Sequence, residues 1–80
     1  MLNTKYEYSN ELNFKAGREI RKLRMEYGWS GGELAEKLDI SQQQVSRYEN
    51  GVNKINIELL VKLSFIFQVP VCHFLYLVEN

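Results

Sequence analysis

The sequence has few of the residues that would build a metal centre, a disulfide framework or a membrane span. It contains one cysteine, Cys72, and one histidine, His73, so an internal disulfide is excluded and these two side chains alone cannot complete a zinc site. We expect them to have packing or surface roles. No apolar run approaches the roughly 20 residues that a membrane span requires, and the first residues lack the apolar core of a signal peptide. We therefore expect no metal, no cofactor and no membrane association.

Net charge is also absent, since ten Lys and Arg residues balance ten Asp and Glu residues. This balance excludes a histone-like polycation. Residues 15–54 nevertheless carry eight basic and six acidic side chains, and four of the cations fall within residues 18–24. Such a run is ordinarily a solvated helix face, so charge by itself favours DNA binding only weakly. Eighty residues, 45% of them hydrophobic, predict one small cytoplasmic domain and argue against a large enzyme.

Helix signals are far stronger than strand signals. Apolar residues recur at helical spacing along a first predicted helix, which begins at the N-cap Asn13 and ends at Gly28: Phe14, Ile20, Leu23 and Tyr27. Only residues 2–8 alternate as a strand does. A lone strand has no partner in this chain, so we predict that residues 1–13 form an arm that is disordered or pairs across a dimer. Residues 14–80 are then the folded domain.

Two short helices joined by a tight connection follow. Ser30 and Glu33 have the spacing of a capping box and predict a helix from about Gly31 to Leu38. Ser41 is a strong N-cap for a third helix over about Gln42 to Glu49, which Asn50 and Gly51 would stop with left-handed conformations.

Two more helices are predicted in the last third of the chain. Asn56 is the expected N-cap of a fourth helix, whose buried side carries Leu59, Leu60, Leu63, Ile66 and Phe67. Pro70 permits a last helix from Val71 to about Leu77.

The paired second and third helices are the arrangement that helix-turn-helix DNA readers need, because one helix must enter a major groove about 12 Å wide while the other braces it. Val45 and Tyr48, three residues apart, can face the core. The other positions of the third helix are polar and able to reach base edges or phosphates: Gln42, Gln43, Gln44, Ser46 and Arg47. Glutamine can bind adenine with two hydrogen bonds, and arginine can bind guanine in the same way.

Three stretches of this sequence resemble the Cro/phage-repressor (XRE-type) helix-turn-helix family. They are Ser30-x-x-Glu33-Leu34-Ala35, the run from Ile40 to Gly51, and Ile57-x-Leu59-Leu60, and the likeness extends over roughly residues 14–75. The run from Ser41 to Glu49, with Lys54 and Ile55, is also similar to small regulators of fimbrial operons. The resemblance implies an all-α, compact, five-helix domain of the lambda-repressor type, here preceded by an N-terminal arm.

The resemblance also implies roles for individual positions. Base reading falls to Gln43, Ser46 and Arg47. Contacts with the phosphate backbone fall to Gln42, Gln44, Asn50, Asn53, Lys54 and Gly31. Gly31 departs from the family, which usually has a glutamine there, although glycine lets backbone N–H groups approach a phosphate closely. Arg24 and Glu49 match a pair that joins the first helix to the end of the third and supports the fold.

Two classes of function remain open. The expected one is a sequence-specific transcriptional regulator, associated with the nucleoid of a bacterium. It would bind a palindromic operator as a homodimer, because one small module touches too few base pairs to select a site from a genome. Phe74, Leu75, Leu77 and Val78 belong to an apolar run too large for one small core, so we predict that they form the dimer surface. The rival is an antitoxin-type module that neutralises a protein partner, and a restriction-modification controller is a third possibility.

Overall fold

The computed structural model describes the backbone of residues 2–75 and the side chains of residues 11–74. Five helices follow one another in that part of the chain, and it contains no strand: α1 Leu2–Glu26, α2 Gly31–Leu38, α3 Gln42–Glu49, α4 Ile57–Phe67 and α5 Cys72–Leu75. The predicted all-α, five-helix class is confirmed. Of the helices in this part of the chain, none has both the length and the apolar character that crossing a bilayer requires.

The first helix begins much earlier than the sequence pattern indicates. α1 runs without a break from Leu2 to Glu26, so the strand predicted over residues 2–8 is wrong. That segment contains no proline or glycine to stop a helix. Glu11 and Lys15, four residues apart on α1, form an ion pair of 3.1 Å. This pair supports the helix across the predicted boundary at residue 13. A contact of this segment with a second copy stays a prediction.

Asn13 is an interior residue of α1, so its assignment as an N-cap is also wrong. The side chain is buried, and its Oδ1 accepts a hydrogen bond of 2.8 Å from the backbone N–H of Ile55. The amide thus ties α1 to the loop before α4. Phe14, predicted on the buried face, is exposed instead. The step of six residues from Phe14 to Ile20 turns a helix by about 600°, which places Phe14 about 120° away from that face.

The helices α2 and α3 have the predicted bounds, and their N-caps are the predicted ones. The Ser30 hydroxyl accepts from the Glu33 N–H at 3.1 Å, and the Glu33 carboxylate accepts from the Ser30 N–H at 2.9 Å. Hydrogen bonding to the Ser30 backbone N–H, and secondly to the Ser30 side chain, lowers the pKa of the Glu33 carboxyl. Ser41 caps α3 in the same way, accepting from the Gln44 N–H at 3.1 Å.

The tight connection between α2 and α3 depends on a left-handed residue that the sequence pattern does not single out. Asp39 has φ +59°, and Ile40 then donates its N–H to the carbonyl oxygen of Ala35 at 3.0 Å. At the end of α3, Gly51 has φ +74° as predicted, whereas Asn50 has φ −96° and is not left-handed. One left-handed residue thus follows each helix of the pair.

A single apolar core holds the helices together. Its members come from all five helices: Ile20, Leu23, Leu34, Ala35, Leu38, Val45, Leu59, Leu60, Leu63, Phe67 and Phe74. The indole of Trp29 stacks on the ring of Phe67 with 5.7 Å between centroids. Tyr27 lies at the rim, where its hydroxyl donates to the Phe67 carbonyl oxygen at 2.6 Å.

The assignment of Phe74 to a dimer surface is wrong. α5 packs against α1, and this places the Phe74 ring in the core with 1% of its surface exposed. The side chain of Leu75 and the residues Leu77 and Val78 lie outside the described part, so their predicted role stays a prediction. α5 begins at Cys72 rather than Val71. Its predicted end at Leu77 lies outside the described residues.

Candidate nucleic-acid interface

The third helix has one apolar side and one polar side. Val45 is buried and Tyr48 half-buried, so this side of α3 packs against the core as predicted. The predicted contact residues of the helix are all exposed: Gln42, Gln43, Gln44, Ser46 and Arg47. Gln43 and Arg47 are four residues apart and therefore project from the same side. The solvent side of α3 is thus a continuous row of hydrogen-bonding groups.

The loop after α3 folds back onto the end of that helix. The Arg47 carbonyl oxygen accepts from the N–H groups of Val52 and Asn53 at 2.8 and 3.2 Å, and the Arg47 Nε donates to Asn53 Oδ1 at 3.2 Å. Asn53 therefore restrains the guanidinium of Arg47 at the exposed end of the helix. Lys54, the next residue, is exposed in the same loop.

The amino-terminal ends of α2 and α3 also meet. Gln42, the first residue of α3, lies beside Gly31 and Gly32 at the start of α2. A Cβ added to Gly31 would lie 3.7 Å from the Gln42 Cγ, which is an ordinary contact. This position therefore has room for a side chain, and glycine is not required there by packing. Gly31 and Gln42 line one polar cleft beside α3, and Arg21 and Asn50 line the same cleft.

Arg24 and Glu49 form a paired, mostly buried contact. The Arg24 Nε and Nη2 donate to the two carboxylate oxygens of Glu49 at 2.7 and 3.1 Å, and Nη1 donates to the carbonyl oxygen of Trp29 at 2.9 Å. Their side chains are 15% and 8% exposed. The hydrogen bond to Glu49 raises the pKa of Arg24 against the opposing effect of burial. The pair joins α1, α3 and the turn before α2, which is the structural role that the resemblance implies.

Asn50 is engaged within the protein. Its Nδ2 donates to the carbonyl oxygen and hydroxyl of Ser46 at 2.9 and 3.3 Å, while its Oδ1 accepts from Arg18 Nη2 at 3.2 Å. The structure thus brings Asn50 to Ser46, a residue predicted to read bases. Sequence reasoning treated Arg18 only as part of a charge run and missed this contact, which joins residues 32 positions apart.

Gly17 is a second residue that sequence reasoning missed. A Cβ at this position would overlap the carbonyl oxygen of Tyr48 and lie 2.9 Å from that of Glu49. Only a glycine lets α1 cross the end of α3 this closely. The signal available in the sequence is a glycine within a helical run where no turn is expected.

His73 also has a partner that the sequence did not predict. Its Nε2 lies 2.7 Å from a carboxylate oxygen of Glu19, and this contact ties α5 to α1. In the part of the chain that the structure describes, no group of three or more His, Cys, Asp or Glu side chains could hold a metal ion.

Comparison with known sequences relates this geometry to DNA-binding proteins. The family model described as helix-turn-helix matches residues 20–74, more than half of the chain. A Pyrococcus furiosus protein named as an HTH-type transcriptional regulatory protein is 43% identical over 54 residues, 68% of this chain and 17% of that protein. An uncharacterised HTH-type transcriptional regulator of Sinorhizobium medicae is 37% identical over 65 residues, 81% of this chain and 47% of its own length. The chain thus spans less than half the length of both relatives.

Solved structures share the arrangement of helices. The clp gene regulator ClgR from C. glutamicum superposes with a TM-score of 0.75 at 26% identity, over 85% of this chain and 88% of that one. Bacillus thuringiensis PlcR, solved in complex with the peptide PapR7 and DNA, superposes with a TM-score of 0.73 at 30% identity, over 84% of this chain and 24% of PlcR.

Proposed function

The chain belongs to the Cro/C1-type helix-turn-helix family, and on that basis we propose that it is a sequence-specific transcriptional regulator. It binds a palindromic operator in the major groove as a homodimer. The observation that carries the proposal is the exposed polar side of α3, on a helix whose other side is fixed in the core. A family of DNA-binding regulators also accords with the expectation that the chain is not an enzyme.

Base reading is proposed for Gln43, Ser46 and Arg47. Gln43 and Arg47 share one side of α3, and Asn53 restrains the Arg47 guanidinium through Nε. Its two terminal NH2 groups then remain to bind guanine at O6 and N7, as arginine characteristically does. The Ser46 hydroxyl lies between them in sequence and is exposed. Three readers on one helix supply the kind of discrimination that operator recognition needs.

Phosphate contacts are proposed at both ends of the recognition helix. Gln42 and Gly31 meet where α2 and α3 begin, and the N–H groups of a helix start favour a phosphate. Lys54 and Asn53 lie in the loop after α3, and Gln44 is exposed in its first turn. The neighbour PlcR was solved with DNA, which supports DNA as the partner of this surface.

Homodimerisation is proposed because one small module touches too few base pairs to select a genomic site. Leu75, Leu77 and Val78 remain the proposed dimer residues, without Phe74. The described residues also contain an apolar stripe, with Ile57 76% and Phe65 78% exposed and Val61 between them on the same side of α4. A second copy of the chain is the proposed partner of this stripe.

An antitoxin-type interaction module is the second candidate, and the same exposed stripe favours it, because such a surface also suits a different protein partner. Purification separates the two. A soluble dimer obtained from the chain expressed alone supports the regulator, whereas insolubility relieved by a co-expressed neighbour supports the antitoxin. The narrower placement among regulators of fimbrial operons, and association with a bacterial nucleoid, are parts of the first proposal.

Selection of bound sequences from a random pool of duplex DNA tests the proposed function. We expect enrichment of a site with two inverted halves, centred about 10 base pairs or a multiple apart. The double variant Gln43→Ala with Arg47→Ala is the control and should enrich no such site. Enrichment of a site without symmetry would contradict the homodimer, and no enrichment by the unaltered chain would contradict sequence-specific binding.

A further inference from the structure

A cation on α1 is hydrogen-bonded to the end of the recognition helix. Arg18 Nη2 donates to Asn50 Oδ1 at 3.2 Å, and Asn50 Nδ2 donates to the carbonyl oxygen and hydroxyl of Ser46. Oxygen and nitrogen of the Asn50 amide are therefore both occupied inside the protein. The guanidinium of Arg18 is at the exposed end of this chain of bonds, beside the surface proposed to meet DNA.

An exposed aromatic ring holds the same guanidinium from another side. The central carbon of the Arg18 guanidinium lies 5.1 Å from the centroid of the Phe14 ring. This is cation–π geometry, and it restrains a side chain that would otherwise sample many rotamers. Phe14 is 51% exposed and takes no part in the core. The contact with Arg18 gives this apolar residue a role on the surface.

Within the described side chains, residues 11–74, the positive charge of Arg18 has no acidic partner within ion-pair distance. Arg24, on the same helix, is neutralised by Glu49. Arg18 is exposed, and only one of its nitrogens is used by Asn50. A planar guanidinium with free N–H groups, fixed beside the end of α3, is suited to bind a phosphate with two hydrogen bonds.

We propose that Arg18 binds a backbone phosphate of duplex DNA alongside the recognition helix. In this arrangement Phe14 and Asn50 are positioning residues, and the phosphate contact predicted for Asn50 belongs to Arg18. The proposal rests on the proposed DNA-binding function and adds α1 to the surface that contacts the backbone. Because Asn50 also bonds Ser46, the anchor on the phosphate is coupled to a residue that faces the bases.

Salt-dependent binding to a short duplex of arbitrary sequence tests the assignment. Each phosphate contact contributes about one unit to the slope of log K against log salt. We expect Arg18→Ala to reduce the slope by about one and to weaken binding several-fold at low salt, on the selected operator and on arbitrary DNA alike. Lys37→Ala is the matched control, since it removes an equal charge that also lies over an aromatic ring, that of Trp29. It should leave the slope unchanged.

The positioning roles have their own variants. Phe14→Leu and Asn50→Ala should each weaken binding less than Arg18→Ala while the slope is kept, and Phe14→Tyr should restore the affinity because it retains the ring. Thermal unfolding of every variant establishes that it is folded. If the unaltered chain binds DNA and the folded Arg18→Ala variant has the same salt slope, the phosphate contact of Arg18 is overturned and the proposed function is not. An unaltered chain that shows no salt-dependent binding would overturn the proposed function itself.

Discussion

At the scale of single residues, Arg47 and Lys54 should make different kinds of contact with DNA. Arg47→Ala is expected to cost about 1–3 kcal/mol on the selected operator and to relax the preference at one base position, because a bidentate contact with guanine is lost. Lys54→Ala should weaken binding to all sequences alike and reduce the salt slope by about one, because only a phosphate contact is lost. Titrations at several salt concentrations measure both effects.

The matched control is the scrambled operator, titrated with the same two variants. If Arg47→Ala weakens binding to the scrambled and selected sites equally, Arg47 is a backbone anchor. Specificity would then come from Gln43, Ser46 or the shape of the DNA.

The ion pair between Arg24 and Glu49 should contribute to stability rather than to DNA contact. Arg24→Ala leaves the Glu49 carboxylate buried without its partner, and removing one member of a buried pair typically costs about 3–5 kcal/mol. We expect a melting temperature lower by ten degrees or more, at about 4–8 °C per kcal/mol for a domain of this size. Thermal unfolding followed by circular dichroism measures it.

Lys62→Ala supplies the comparison for that variant. Lys62 pairs with Glu58 at 3.7 Å on the surface of α4, where both side chains are well exposed, and such pairs contribute less than about 1 kcal/mol. A melting temperature unchanged by Arg24→Ala, together with lost DNA binding, would show that Arg24 contacts DNA instead.

At the scale of elements, the crossing of α1 over the end of α3 depends on Gly17. Gly17→Ala adds a Cβ where the carbonyl oxygens of Tyr48 and Glu49 lie, and backbone atoms cannot move aside as a flexible side chain does. Alanine favours a helix by up to about 1 kcal/mol over glycine. We nevertheless expect a net loss of about 1–3 kcal/mol in the free energy of unfolding, because α1 and α3 must separate.

Gly31→Ala is the matched substitution for Gly17→Ala. It makes the same change in a helix, but the new Cβ has ordinary contact distance to Gln42. The free energy of unfolding should therefore rise by about 0.5–1 kcal/mol. Denaturant unfolding of both variants measures the pair. Equal stabilisation by the two changes would show that the helices do not approach each other at Gly17 as described.

At the scale of the whole molecule, the terminal apolar segment should control association. The double variant Leu75→Asp with Leu77→Asp should be a folded monomer with much weaker operator binding, because charges placed in an apolar interface disfavour it. Sedimentation velocity measures the oligomeric state. Phe74→Asp is different, since it places a carboxylate in the core and should prevent folding.

Phe65→Asp locates the interface if the terminal variant remains a dimer. The exposed ring of Phe65 belongs to the stripe on α4, and its replacement should then produce the monomer. If the chain remains a dimer with Leu75→Asp, Leu77→Asp and Phe65→Asp, the interface lies elsewhere, for example in the first half of α1.

The sequence by itself determined the helices whose signals are local. The caps Ser30, Ser41 and Asn56 act on N–H groups three residues away, so a short window of sequence contains both partners. The exposed row on α3 was predictable for the same reason, because the period of the helix separates Val45 and Tyr48 from the polar positions. Family membership follows from these local motifs in their order.

Only the tertiary structure decided the features that depend on contacts between residues far apart in the sequence. The start of α1 was not predictable because alternating residues without a helix breaker suit a helix as well as a strand. Phe74 is in the core because α5 returns to α1, and glycine is needed at Gly17 because carbonyl oxygens of α3 face it. Arg18 meets Asn50 across 32 positions of sequence. Contacts at such separation depend on how the helices pack, and packing is a property of the whole core that no short window contains.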